Sequence, residues 1–131
     1  GLAVSIGAAD ITNIDLLTSS FSKAAGGTLS VRVTFNEEVD VTGTPQLEVD
    51  NDTNSNHTLS YASGTGTYRL LFTLTLGAGA GATDAGDVLS IGANALSLNG
   101  GTIKDKGTNT ASTITNSAAI GTAAGTLTVA A

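Results

Sequence analysis

The sequence predicts an all-β fold, an antiparallel sandwich of about seven to nine strands. Glycine accounts for 17 of the 131 residues and proline for one, and Ser, Thr and Asn are frequent, which is typical of short strands joined by tight turns. Apolar and polar residues alternate with the two-residue period of half-buried strands. These segments recur about every 8 to 12 residues without an intervening helical period. We therefore expect one domain over residues 1–131.

Two segments carry the strongest strand patterns. In the predicted strand 27–36 every second residue from Leu29 to Phe35 is apolar, and in the predicted strand 67–76 so is every second residue from Tyr68 to Leu76. One face of each strand should therefore pack in the core while the other meets water. Weaker patterns predict further strands at residues 10–16, 46–50, 59–61, 87–91, 95–98, 102–105 and 126–129. The polar run 50–56 and the Gly/Ala-rich segment 77–86 are expected to be connections.

Composition excludes several classes of partner. The formal net charge of −6 repels a phosphate backbone, so we expect no nucleic-acid partner. The chain contains no cysteine, so it can form neither a disulfide nor a thiolate metal site. No run approaches the ~20 apolar residues that span a bilayer, so we expect no membrane insertion. Residues 1–7 contain no basic residue to begin a signal peptide, so either a leader was removed or the protein is not secreted by that route. The core should be thin and aliphatic, since the chain has no Trp and no Met.

Three stretches carry a resemblance to a known family. They are VTFNEEVDVTGTPQL (33–47), YASGTGTY (61–68) and IGANALSLNGGTIKD (91–105). Together they resemble the repeat domains of large bacterial surface proteins with Ig-like or cadherin-like sandwich folds, over about residues 27–107. The resemblance implies an Ig-like spacer or adhesive unit, often in tandem arrays and sometimes rigidified by calcium, without catalytic function. Because no second copy of the motif is present, the chain is also similar to free-standing Ig-like domains that decorate phage virions.

The polar loop after residue 49 contains the first group of candidate calcium ligands. Asp50, Asp52 and Asn54 have the alternate spacing with which a calcium loop begins, since Ca²⁺ prefers several oxygens from one tight loop. The rest of that pattern fails, because Ser55 replaces the glycine of the sixth position and Tyr61 replaces the glutamate of the twelfth. The alternative is a solvated hairpin loop without an ion.

Acidic residues between two predicted strands form the second group. Glu37, Glu38 and Asp40 are candidate calcium ligands or ordinary solubilising residues. Glu37 and Glu38 are also the obvious acid–base pair, but neighbouring strand residues point to opposite faces unless a bulge reorients them. His57, the one histidine of the sequence, is expected to make a surface hydrogen bond. We therefore predict no catalytic residue, no cofactor-binding residue and no required cofactor, with calcium as the candidate ion.

The small-residue ends, 1–9 and 118–131, are candidates for assembly arms or edge strands. Such segments can add to a neighbour's sheet edge, or they can form the outer strands of their own domain.

Two functions of the protein stay open. The first is a structural subunit on the exterior of a larger assembly, a phage capsid or tail decoration bound through its termini and sheet edges. The second is an adhesive or spacer repeat of a bacterial cell-surface protein, which binds carbohydrate, a surface or copies of itself. The corresponding locations are a virion surface and the cell exterior.

Overall fold

Nine strands and one short helix make up the computed structural model, which describes residues 8–79, 81 and 83–131. The all-β class and the predicted number of strands are confirmed. The elements are β1 (Ile11–Leu16), β2 (Gly27–Thr42), β3 (Gln46–Asn51), β4 (His57–Ser63), β5 (Thr67–Leu76), β6 (Val88–Ser90), β7 (Leu96–Ser97), β8 (Thr102–Asp105), α1 (Ala118–Ala123) and β9 (Leu127–Thr128).

The strands form one antiparallel sheet in the order β1-β2-β5-β4-β3-β6-β9. The short strands β7 and β8 pair with β3 and β2, respectively. The longest strand, β2, has 16 residues and is the backbone of the fold, because it pairs with β1, β5 and β8. The sheet is thus organised around one long strand, against which the shorter strands take their register.

The sheet curls into a nearly closed, barrel-like sandwich. At one end, β7 and β8 are joined by a turn in which Gly101 N donates to Leu98 O at 2.8 Å. At the other end, Ser22 forms a parallel bridge with Ala130, and Ala130 N donates to Phe21 O at 2.8 Å. At the other outer strand, Leu16 N of β1 donates to Ala124 O at 3.2 Å, so both outer strands have further contacts within the chain, which matters because open edges recruit other strands.

The core is aliphatic, as the composition indicates. Leu29, Val31 and Val33 on β2 are fully buried. Leu70 and Phe72 lie beside them on the neighbouring strand β5, as partners of Val33 and Val31, and are fully buried as well. This alternation places one face of each strand inside the barrel, where buried side chains supply most of the stabilising free energy. Few aromatic rings contribute.

The helix α1 is the element that the sequence pattern did not predict. Ser117 caps it, since its Oγ accepts a hydrogen bond from Ile120 N at 3.2 Å. Gly121 is buried against the backbone of Ile91, where a Cβ atom would lie 2.4 Å from the carbonyl oxygen. A six-residue helix shows too little periodicity to be recognised in a sequence, and this one depends on tertiary packing.

The two small-residue ends have different outcomes. The segment 118–131 contains α1 and β9, and β9 pairs with β6 at the end of the strand order. Residues 1–7 lie outside the described residues, so the predicted arm at 1–9 stays a prediction. Where the description begins, Ala9 is buried and its carbonyl oxygen accepts from Thr113 N at 2.8 Å.

Candidate functional site

A bulge in β2 creates a groove on the surface of the protein. Thr34 is opposite Arg69 on β5, whereas Val39 is opposite Thr67. Four residues of β2 therefore lie opposite Tyr68 alone. Extra residues in one strand bend it and redirect its side chains, which is why bulges often occur beside functional surfaces.

The bulge opens a groove of about 490 Å³. Its lining is Thr34, Phe35, Asn36, Glu37, Glu38, Tyr68, Asp105 and Gly107. Tyr68 is 46% exposed, and the Arg69 guanidinium carbon lies 5.2 Å from the centre of its ring. A half-exposed aromatic ring can pack against the apolar face of a ligand ring, and carboxylates beside it can accept hydrogen bonds from the ligand's hydroxyl groups. The bulge thus brings Glu37 and Glu38 to one groove.

Asp105 shapes the far wall of this groove. It is buried, and its Oδ1 accepts hydrogen bonds from Gly107 N at 2.8 Å and Thr108 N at 2.9 Å. These bonds fix the turn that follows β8, as an Asx turn does. Asp40 lies further along β2, exposed and opposite Lys104 on β8.

The other calcium candidates lie at the opposite end of the barrel, around the end of β3. Asp50 and Asn51 pair with β6, and Asp52 Oδ1 accepts a hydrogen bond from Val88 N at 2.8 Å. Asn54 Nδ2 donates to Asp87 Oδ2 at 2.7 Å. Asp52 and Asn54 are thus engaged in hydrogen bonds within the protein. Across the described ranges, no three His, Asp or Glu side chains converge as a metal site would require, and calcium binding stays a prediction.

A buried polar network surrounds Asp87, which is only 3% exposed. Its carboxylate accepts hydrogen bonds from the Thr53 hydroxyl, from Asn54 Nδ2, from Asn51 Nδ2 at 3.0 Å and from Asp84 N at 2.9 Å. The bonds from Thr53 and Asn54 are the main cause that holds the pKa of Asp87 well below its usual range. The carboxylate therefore stays ionised and ties the loop after β3 to the connection before β6.

His57 belongs to the same network, and its expected surface position is wrong. The side chain is 3% exposed, and its Nε2 lies 3.2 Å from Asn51 Nδ2. Burial lowers the pKa of His57, and the charge of Asp87 opposes this effect in part. A polar loop next to a lone histidine resembles a solvated surface in the sequence, because the carboxylate that encloses it comes from a distant segment.

Asp84 completes the outer side of this region. It is exposed and forms an ion pair with Lys23, which also makes the largest contribution to lowering the pKa of the Asp84 carboxyl. In the sequence, Asp84 and Asp87 lie at the C-terminal end of the Gly/Ala-rich connection. No local pattern indicates that this connection meets Asn51 and Asn54, which lie about thirty residues earlier.

Searches with family models, among curated proteins and among solved structures find no match to the chain. In the part of the chain that the structure describes, no helix has the length and apolarity needed to cross a bilayer.

Proposed function

We propose that this protein is a non-enzymatic structural module on the exterior of a larger assembly, either a virion or a cell surface. The observation that supports this proposal is the direction in which the chain passes through the fold. Asp10 enters beside Asn36, and their main chains bond through Asn36 N and Asp10 O at 2.9 Å. Ala130 leaves beside Ser22, which in turn bridges Gly26 at the start of β2. Entry and exit therefore lie near opposite ends of β2.

The separation of entry and exit suits a spacer. From Gly27 to Asn36 the strand advances nine residues, or about 30 Å at about 3.3 Å per residue. A module that receives the chain at one end and releases it at the other adds its full length to an array. Both outer strands also have further contacts within the chain, so lateral growth through open edges is less favoured than end-to-end connection. These features favour the spacer repeat over a decoration bound through sheet edges.

Tandem fusions of the chain test this proposal. We would join one, two and four copies of residues 1–131 and measure their maximum dimensions by small-angle X-ray scattering. The expected result is a steady increase of about 30 Å per copy, which follows from the strand length above. A single copy that assembles into closed oligomers during sedimentation would instead favour the virion subunit. Tandem copies that collapse side by side, with little increase in length, would contradict the spacer.

Carbohydrate adhesion is a second candidate, which the groove favours. Tyr68 is half exposed beside the carboxylates of Glu37 and Glu38, an arrangement that suits the apolar face and the hydroxyl groups of a sugar. A glycan array with Tyr68→Ala is the test, and Leu17→Ala is its matched control because Leu17 is 44% exposed and lies just after β1, outside the groove. Binding that Tyr68→Ala abolishes and Leu17→Ala preserves supports adhesion at the groove. Equal binding by both variants excludes it.

A further inference from the structure

The hydrogen bonds of Asn51 fix the protonation state that His57 must have. Asn51 Oδ1 accepts hydrogen bonds from Thr53 N and Asn54 N, both at 3.1 Å, so this oxygen must face the backbone of the loop. The amide nitrogen Nδ2 then faces Asp87 Oδ2 at 3.0 Å and His57 Nε2 at 3.2 Å. Nδ2 donates two hydrogen bonds and cannot accept one, so His57 Nε2 must accept one of its hydrogens. The imidazole is therefore neutral, with its proton on Nδ1.

Protonation of His57 is incompatible with this arrangement. A proton on Nε2 would point at an N–H group of Asn51, which replaces a hydrogen bond with a repulsive contact between two donors. Rotation of the Asn51 amide by 180° would restore an acceptor to His57, but it would break both backbone bonds to the loop and direct an oxygen at Asp87. Either response disturbs the contact with Asp87.

Asp87 transmits this disturbance to the exit end of the barrel. Its carbonyl oxygen accepts from Val129 N at 2.8 Å, and the neighbouring Gly86 N donates to Val129 O at 2.8 Å. β9, which precedes Val129, has only two residues and pairs with β6 through Leu89 and Val88. We propose that His57, Asn51 and Asp87 form an acid-sensitive latch, which holds the exit end of the barrel closed when His57 is neutral and loosens it when His57 is protonated.

The charges around the latch leave His57 as its titrating member near neutral pH. Asp87 is the carboxylate whose charge acts on the imidazole, and its own hydrogen bonds keep it ionised. Asp84 lies on the same connection and is paired with Lys23. From the loop after β3, Asp52 accepts the bond from Val88 N, and Asp50 lies at the end of β3 itself. Hydrogen bonds lower the pKa of both Asp84 and Asp87, which moves these two carboxyls further from the range in which an imidazole titrates.

The tautomer of His57 is the direct test and uses the unmodified chain. We would record the imidazole ¹⁵N chemical shifts by NMR at pH 7.5. The expected pattern has a protonated Nδ1 and an unprotonated Nε2. A protonated Nε2 at this pH would overturn the proposal, and this outcome is independent of any variant that fails to fold.

Acid titration tests the consequence. The wild-type unfolding constant should increase as the pH falls below about 6.5, by at most about tenfold per pH unit for one proton, because the unfolded chain binds a proton that the closed latch excludes. Amide exchange at Thr53 and Asn54 should accelerate over the same range relative to His57→Gln at the same pH. His57→Gln keeps an acceptor for Asn51 without titrating, so its unfolding constant should change much less. Parallel pH profiles for the two proteins would overturn the latch.

Discussion

Asn116 provides the sharpest test of how the small-residue end is attached to the barrel. Its side chain is 5% exposed and holds the turn before β7, since Oδ1 accepts from Ala95 N at 3.0 Å and Nδ2 donates to Gly92 O at 3.0 Å. Nδ2 also donates to Ser117 O at 3.0 Å, just before α1. Asn116→Ala removes all three bonds and leaves the Ala95 N–H without a partner in a buried position.

The expected loss follows from these contacts. The two bonds to the carbonyls of Gly92 and Ser117, which are not buried, contribute about 0.5 kcal/mol each, and the unsatisfied buried Ala95 N–H costs about 1–3 kcal/mol, so we expect the free energy of unfolding to fall by about 2–4 kcal/mol. At about 2.1 cal/mol/K per residue, the unfolding entropy of a chain of this length converts this loss to a decrease in Tm of about 8–15 °C. The conversion applies at the midpoint temperature.

Urea and thermal unfolding, followed by circular dichroism, measure this effect. The neighbouring Thr115→Ala is the matched control, because Thr115 is exposed and its substitution should change stability by less than about 0.5 kcal/mol. A loss below about 1 kcal/mol for Asn116→Ala would refute the reasoning, since it would mean that the turn and α1 hold their positions without these bonds. A change in the urea m-value would indicate instead that the end segment unfolds separately.

Three further predictions concern the core, the helix contact and the polar network. Phe72→Ala should cost about 3–5 kcal/mol of stability by urea unfolding because Phe72 is fully buried, whereas the exposed Leu17→Ala should cost less than about 0.5 kcal/mol. Gly121→Ala should destabilise by about 1–3 kcal/mol in the same assay, since its Cβ would lie 2.4 Å from the carbonyl oxygen of Ile91; a gain in stability would contradict this contact. The pKa of Asp87 is lowered in the folded state, so its contribution is present above its unfolded pKa of about 3.9 and is lost as the pH falls below that value. Asp87→Asn should therefore be less stable than the wild type at pH 7, and its free energy of unfolding should change less between about pH 5 and 2. A change as large as that of the wild type would contradict this role of Asp87.

The strands were predictable because their signal is local. β5 and β8 begin and end where the alternation and the flanking Gly-rich turns indicate, at residues 67–76 and 102–105. β2 extends six residues beyond the predicted end at residue 36, across the bulge. The alternation is interrupted there by Asn36, Glu37 and Glu38, so a pattern with a two-residue period cannot follow the strand through it.

The buried network was not predictable, because its members come together only in the folded chain. Asn51, Thr53 and Asn54 belong to a run that local propensity assigns to a solvated loop. Asn51 is buried because the connection that carries Asp87 folds over it, through pairing of β6 with the last residues of β3. A sequence pattern does not reveal this role, because the side chains that favour turns are also the ones that donate hydrogen bonds to a buried carboxylate.

The polar network compensates for the short strands at the exit end of the barrel. β6 has three residues and β9 has two, so their ladders supply few backbone hydrogen bonds. The carboxylate of Asp87 accepts four hydrogen bonds instead, and its backbone holds Val129 at the end of the last strand. Charged acceptors give stronger bonds than neutral ones, and they also demand one geometry. In a fold poor in large side chains, hydrogen bonds among Asn, Thr and Asp residues thus hold the exit end of the barrel in one arrangement. His57 makes that arrangement dependent on pH.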